Sequence, residues 1–223
     1  MRTLATNTAE TPMEPTIDLY TWGTPNGQKA SIMLEEIKMP YRVHSIDITN
    51  DEQFDAEFLK ISPNNKIPAI VDRDNGQTLM ESGAILLYLA AKSGRLMPKD
   101  ENRWRALEWL MFQMGGFGPM LGQAHHFLHF NKGVSDYAEK RYAGEARRLY
   151  GVLDARLARN KYLAGEYSVA DIAVWPWVAR HEWQGVGINE FANVKRWYLA
   201  IAARPAVKRG YGVPSPRDIP LPR

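Results

Sequence analysis

Across 223 residues, 28 Lys and Arg oppose 25 Asp and Glu for a formal net charge of +3; the charges are scattered, which excludes the basic stripe of a nucleic-acid-binding protein and suits a small anionic ligand. Hydrophobic residues make up 45% and charged residues 24%, and no apolar run approaches the roughly 18 residues of a membrane span, so the chain reads as soluble and large enough for two modest domains. Cysteine is absent, which excludes structural disulfides, thiolate metal sites and a thiol nucleophile of the protein's own, and leaves any redox chemistry to a sulfur brought by a ligand.

Residues 1–15 carry one arginine, two glutamates and no apolar core segment. They fit neither a secretory signal nor a transit peptide and are expected as a flexible tail. The run 16–20 alternates like a strand, and 25–38 carries Ala30, Met33, Leu34 and Ile37 at helical spacing. Residues 41–48 are rich in β-branched and aromatic side chains, 52–60 puts Phe54, Phe58 and Leu59 on one helical face, and 69–72 is a short buried strand. Asp74-Asn75-Gly76 signals a hairpin turn, 77–80 the returning strand, and 82–93 an apolar helix stopped by Gly94. The order βαβαββα thus fills 16–96.

Beyond residue 100 the character changes. Segments 102–122, 135–160, 168–184 and 189–203 read as helices with no strand between them, and six of the seven tryptophans lie there, so 101–211 is expected as an all-helical domain. Two tryptophan stripes, Trp104/Leu107/Trp109/Leu110 and Trp175/Trp177/Trp183, suit core and interface packing, with some members bordering an apolar pocket. Ser168 three residues before Asp171, ahead of an apolar run, is a capping box and a structural feature. The proline-rich 212–223 is expected to be an extended, flexible tail.

Three turns could carry chemistry. In Thr24-Pro25-Asn26-Gly27, proline at the first helical position makes Thr24 the N-cap, so backbone amides and the positive end of the helix dipole meet an anionic sulfur or oxygen. Thr24 is equally readable as a plain cap, but a hydroxyl accepts one bond and donates another, so the two roles coexist. Ile67-Pro68, ahead of the 69–72 strand, is either an ordinary trans bond or a cis bond that presents the Ile67 backbone to a ligand. Glu81-Ser82, at a strand-to-helix turn, is either a cap or a grip for an α-amino acid head, with Ser82 and amides on the carboxylate and Glu81 on the ammonium. His125 and His129 share a helical face, yet no acid lies close in sequence, and lining a cleft suits them better than binding a metal.

With βαβαββα, Ile-Pro before the third strand, Glu-Ser at the third helix and SVADIAVWPW, residues 16–211 resemble a glutathione transferase. TPNGQK, ISPNNKIPAIVD, ESGAILLYLA and GGFGPMLGQAHHF look like the bacterial nu class, related to the yeast nitrogen-regulator transferase-like proteins. The resemblance implies a thioredoxin-like N-terminal domain holding glutathione as co-substrate without a metal, an all-helical C-terminal domain forming the acceptor pocket, and a cytoplasmic homodimer. It also implies that Glu81 and Ser82 bind the γ-glutamyl end and that the Ile67 backbone before a cis Pro68 pairs with the cysteinyl backbone. Gln53 and Lys66 would reach the glycyl carboxylate or its surroundings. Thr24 and Asn26 would sit at the sulfur as catalytic groups, in place of the Tyr, Ser or Cys of other classes, and Arg141 would approach the neighbouring subunit's glutathione. The implied activity is reduction of disulfides, with peroxides as a second acceptor class. Conjugation of glutathione to electrophiles and a non-catalytic interaction protein stand as alternatives.

Overall fold

The structure, a computed structural model, describes residues 14–222; nearly all of the expected N-terminal tail lies outside them. Strands β1 (Ile17–Thr21), β2 (Tyr41–Ser45), β3 (Ala69–Asp72) and β4 (Thr78–Met80) form one sheet in the order β2-β1-β3-β4. β2 runs parallel to β1, whereas β3 and β4 are antiparallel to their neighbours. Helices α1 (Pro25–Ile37), α2 (Ala56–Ile61) and α3 (Ser82–Ser93) complete a thioredoxin-like domain. The alternation of β1 explains its placement: Ile17, Leu19 and Thr21 are fully buried while Asp18 and Tyr20 face the other way.

Two local expectations are corrected here. The β2 strand stops at Ser45, and 52–60 is not one helix with an apolar face. Asp55 adopts an extended backbone (φ −61°, ψ 135°) that ends a short 3₁₀ turn and starts α2. Phe58 alone of the three apolar residues is buried; Phe54 is 55% exposed.

The second half is helical: α4 (Asn102–Phe112), α5 (Gly118–His125), α6 (Asp136–Leu157), α7 (Val169–Val178), α8 (Ala192–Ala202) and α9 (Pro205–Tyr211). The span expected as a single helix over 102–122 instead widens to a π-helical turn at Gln113–Phe117 between α4 and α5. Gly115, Gly116 and Pro119 account for this: the glycines lower the cost of irregular backbone, and the proline lacks the N–H that a regular turn would use. The capping box is present, with Ser168 accepting from Ala170 N while the Asp171 carboxylate accepts from Ser168 N at 3.0 Å. Asp171 also takes bonds from Leu163 N and Trp197 Nε1, so one buried carboxylate ties three segments together. Of the first tryptophan stripe, Leu110 is buried but Trp104 is 73% exposed. Among the described residues, no helix is long and apolar enough to cross a membrane.

Helix α1 is buried along nearly its whole length because it lies between the sheet and the second half. On its far side α9, a helix not expected from the sequence, packs so closely that a Cβ on Gly210 would fall 2.6 Å from Ile32 N and Cα. Ser31 Oγ donates to Gly210 O (2.7 Å), Gln28 Nε2 to Tyr211 O (3.2 Å), and Arg204 pairs bidentately with Glu36. Past α9 the chain runs extended and touches the body at defined points: Arg217 Nη1 donates to Gly23 O (2.8 Å) and Tyr198 OH to Pro220 O.

Candidate active site

The residues singled out at the three turns converge. Thr24, Asn26, Gln53, Lys66 and Ile67 line a cavity of about 600 Å³ closed from the helical half by His125, Phe130, Trp177, Arg180 and Trp183. Asn26, Lys66 and Ile67 also line a smaller cavity of about 150 Å³ that reaches Glu81, Ser82 and Met114. The three shared residues make the two spaces adjacent. Arg141 lies exposed on α6 and lines neither.

At the α1 end of the larger cavity, Thr24 Oγ1 accepts from Gly27 N at 3.1 Å and its carbonyl accepts from Gln28 N at 2.9 Å. The cap uses the oxygen and leaves the hydroxyl hydrogen for a ligand. It also narrows the expected row of free amides. Pro25 has no N–H and Gly27 N is engaged, so Asn26 N–H is the backbone donor of this first turn that has no acceptor among the described residues. The Asn26 side chain is oriented from across the cleft: Trp177 Nε1 donates to Asn26 Oδ1 at 3.1 Å. An indole N–H can only donate, so the atom facing it is the amide oxygen and the amide hydrogens are left free to donate toward the cavity.

Trp177 is itself held by a buried network. Its ring stacks on His125 at 5.4 Å, and Gln184 Nε2 bonds both the Trp177 carbonyl (2.7 Å) and His125 Nε2 (3.0 Å). Tyr150 OH closes the network on Gln184 Oε1 at 2.7 Å. Burial, then the charge of Arg180, pushes the His125 pKa down to about 4, so its ring is neutral and accepts from Gln184. His129 stacks on Trp183 at 4.2 Å. Both histidines therefore belong to the aromatic wall.

The middle of the site is backbone. The Ile67–Pro68 peptide is cis, and neither the N–H nor the C=O of Ile67 has a partner among the described residues. That is an open edge to which an extended peptide can pair. Gln53 offers a second unpaired group, since its Oε1 is buried without a partner.

At the far end, Ser82 does not cap its helix, which corrects the capping alternative. The cap position belongs to Glu81, in a left-handed backbone (φ 69°) that a non-glycine residue rarely adopts. Ser82 is buried and its Oγ meets Lys29 Nζ at 3.1 Å. Lys29 has no exposed surface, and burial brings its pKa down to about 7 against the opposing pull of Glu81.

Lys29, Arg180 and the specific role of Trp177 are functional features beyond those that the three turns announce. Lys29 follows Asn26 by one helical turn and Arg180 follows Trp177 by the same interval, which were the available signals. Arg180 holds its guanidinium 4.7 Å from the Trp183 ring, and its buried Nε has no partner.

A thioredoxin-like domain whose helix-one terminus and cis-proline edge face an aromatic wall on a helical domain defines a class of two-domain proteins with a cleft between the two halves. The chain belongs to the glutathione transferase family. Residues 15–91 match the glutathione S-transferase N-terminal domain and residues 117–205 the C-terminal domain. It is 51% identical over 198 residues to the disulfide-bond oxidoreductase YfcG of Escherichia coli, an alignment covering 85% of this chain and 92% of YfcG. A glutathione transferase from Pseudomonas putida, solved with one glutathione disulfide bound per subunit, superposes with a TM-score of 0.84 at 44% identity, covering 92% of this chain and 95% of that one. One from Burkholderia graminis, with two glutathione molecules per subunit, gives 0.84 at 43% identity, covering 92% and 91%.

Proposed function

We propose that this chain reduces disulfides with glutathione as the thiol donor. The observation that carries the reading is the donor set at the start of α1: a protein without cysteine presents the Thr24 hydroxyl and the Asn26 amide to a cavity that also holds an open peptide edge at Ile67. A tripeptide paired at Ile67, with its γ-glutamyl head at Glu81 and Ser82, would bring its sulfur toward Thr24 and Asn26. Gln53 and Lys66 would meet its glycyl end. YfcG bears the name of this activity, and the P. putida relative holds the disulfide that the reaction forms.

The chemistry is two exchanges. A glutathione thiolate attacks one sulfur of the acceptor disulfide, forming a mixed disulfide and releasing the other sulfur as a thiolate. A second glutathione thiolate then attacks the glutathione sulfur of that mixed disulfide, giving glutathione disulfide and the second acceptor thiolate. Such exchange needs thiolate character and sulfur alignment and no protein nucleophile. Donors at helix one stabilise the anion; the aromatic wall shapes the acceptor side.

The test is Thr24→Ala, assayed with hydroxyethyl disulfide and, separately, with a chlorodinitrobenzene acceptor. Loss of one charge-assisted bond to the sulfur lowers kcat for the disulfide about tenfold, with a smaller change in glutathione binding. Unchanged disulfide kinetics would remove Thr24 from the mechanism. Faster wild-type turnover of the chloroarene than of the disulfide would favour conjugation instead.

A further inference from the structure

Lys29 is the anomaly of the site. Its ammonium is fully buried, and its three partners are all neutral: Ser82 Oγ at 3.1 Å, Gln113 Oε1 at 2.5 Å and Met114 Sδ at 3.6 Å. Glu81 acts on it only through space, without a hydrogen bond, and a buried cation with no carboxylate in contact is costly. The side chain it touches, Ser82, opens on the smaller cavity. A ligand anion placed there would be the missing counter-charge.

The hydrogen-bond directions make the same point. When protonated, Lys29 only donates, so Ser82 Oγ accepts from it and the serine hydrogen goes elsewhere. Within the protein its acceptor is Met114 Sδ at 3.7 Å, a thioether and a weak acceptor that a carboxylate readily displaces. Lys29 thus fixes the polarity of Ser82 as a donor toward the cavity.

We propose that Lys29 is a positioning residue for the ligand's α-carboxylate, acting through Ser82: it turns the serine hydroxyl outward as a donor and supplies the positive charge behind it. The proposal rests on the reading that a γ-glutamyl head occupies the smaller cavity. It gives the pair Lys29–Ser82 the task of telling a carboxylate from its absence, while Glu81, exposed on the other side of the turn, faces an ammonium.

The experiment is calorimetric binding of two unreactive tripeptides, S-methylglutathione and its S-methylated 4-aminobutyryl-Cys-Gly counterpart, which lacks only the α-carboxylate. Wild-type protein is expected to favour the first. Lys29→Met should weaken S-methylglutathione about tenfold and the truncated peptide less than twofold, so that the preference collapses. Equal weakening of both peptides, or no weakening, overturns the proposal. Ser82→Ala gives an independent reading that does not depend on Lys29→Met folding: it should erase most of the preference, and full retention of the preference in that variant also overturns the proposal. A wild-type protein that binds both peptides equally would overturn the head-group assignment and the role of Lys29 together, whereas loss of disulfide turnover with the preference intact would strike only the proposed activity.

Discussion

Asn26 shows how a single side chain can be made into a donor by its neighbour. An asparagine amide can present either its oxygen or its hydrogens to a ligand, and rotation about the last side-chain bond exchanges them. The 3.1 Å bond from Trp177 Nε1 removes that choice. Trp177→Phe keeps the stack on His125 but deletes the N–H, so the amide is free to turn its oxygen toward a thiolate. The expected outcome is a five- to tenfold fall in kcat for disulfide turnover, about 1 kcal/mol, with KM for glutathione changing less than twofold. An unaltered kcat would show that Asn26 is oriented without Trp177. At this scale the sequence was readable where residues sit at turns, since TPNG, IP and ES announce backbone that departs from regular structure. It was silent about Trp177–Asn26 and Lys29–Ser82, 151 and 53 residues apart, because no local pattern encodes a contact between distant segments.

Among the elements, α1 ties the site to the rest of the chain. Its N-terminus carries Thr24 and Asn26, its interior buries Lys29, and its back is pressed against α9 at Gly210. The atoms that a methyl group on Gly210 would strike belong to the Ile32 backbone, so the strain must be relieved by moving one helix from the other. Gly210→Ala is therefore expected to destabilise by about 2 kcal/mol, read as a fall in Tm of about 4–8 °C, and to weaken glutathione binding because α1 moves with its cargo. An unchanged Tm would mean that the two helices separate freely. The βαβαββα order and the helices α6 and α8 were legible from spacing alone, whereas the helix expected over 168–184 stops at Val178 and gives way to a short 3₁₀ turn at His181–Gln184. What escaped the reading was short or irregular: α9 has seven residues opened by Pro205, too few for periodicity to register, and the turn at 113–117 is widened by glycines that the apolar pattern runs straight through.

On the scale of the whole molecule, apolar surface remains uncovered. Trp104 is 73% and Met111 52% exposed two turns apart on α4, and Tyr137 on α6 is 76% exposed, four residues before Arg141. Single exposed apolar residues are ordinary, but two large ones two turns apart on one helix suit burial against a second copy. In a two-fold assembly the same patch meets itself, and the family resemblance implies that Arg141 of each copy approaches the other's glutathione. Trp104→Glu places a charge at that contact and should convert a species of twice the 25.4 kDa chain mass into one of 25.4 kDa by sedimentation. If Arg141 serves the neighbouring site, glutathione affinity falls in Trp104→Glu, and Arg141→Ala reproduces that fall while the protein stays dimeric. Wild-type protein sedimenting as a monomer with full disulfide turnover would leave each cleft complete within its own chain and assign Arg141 to the solvent.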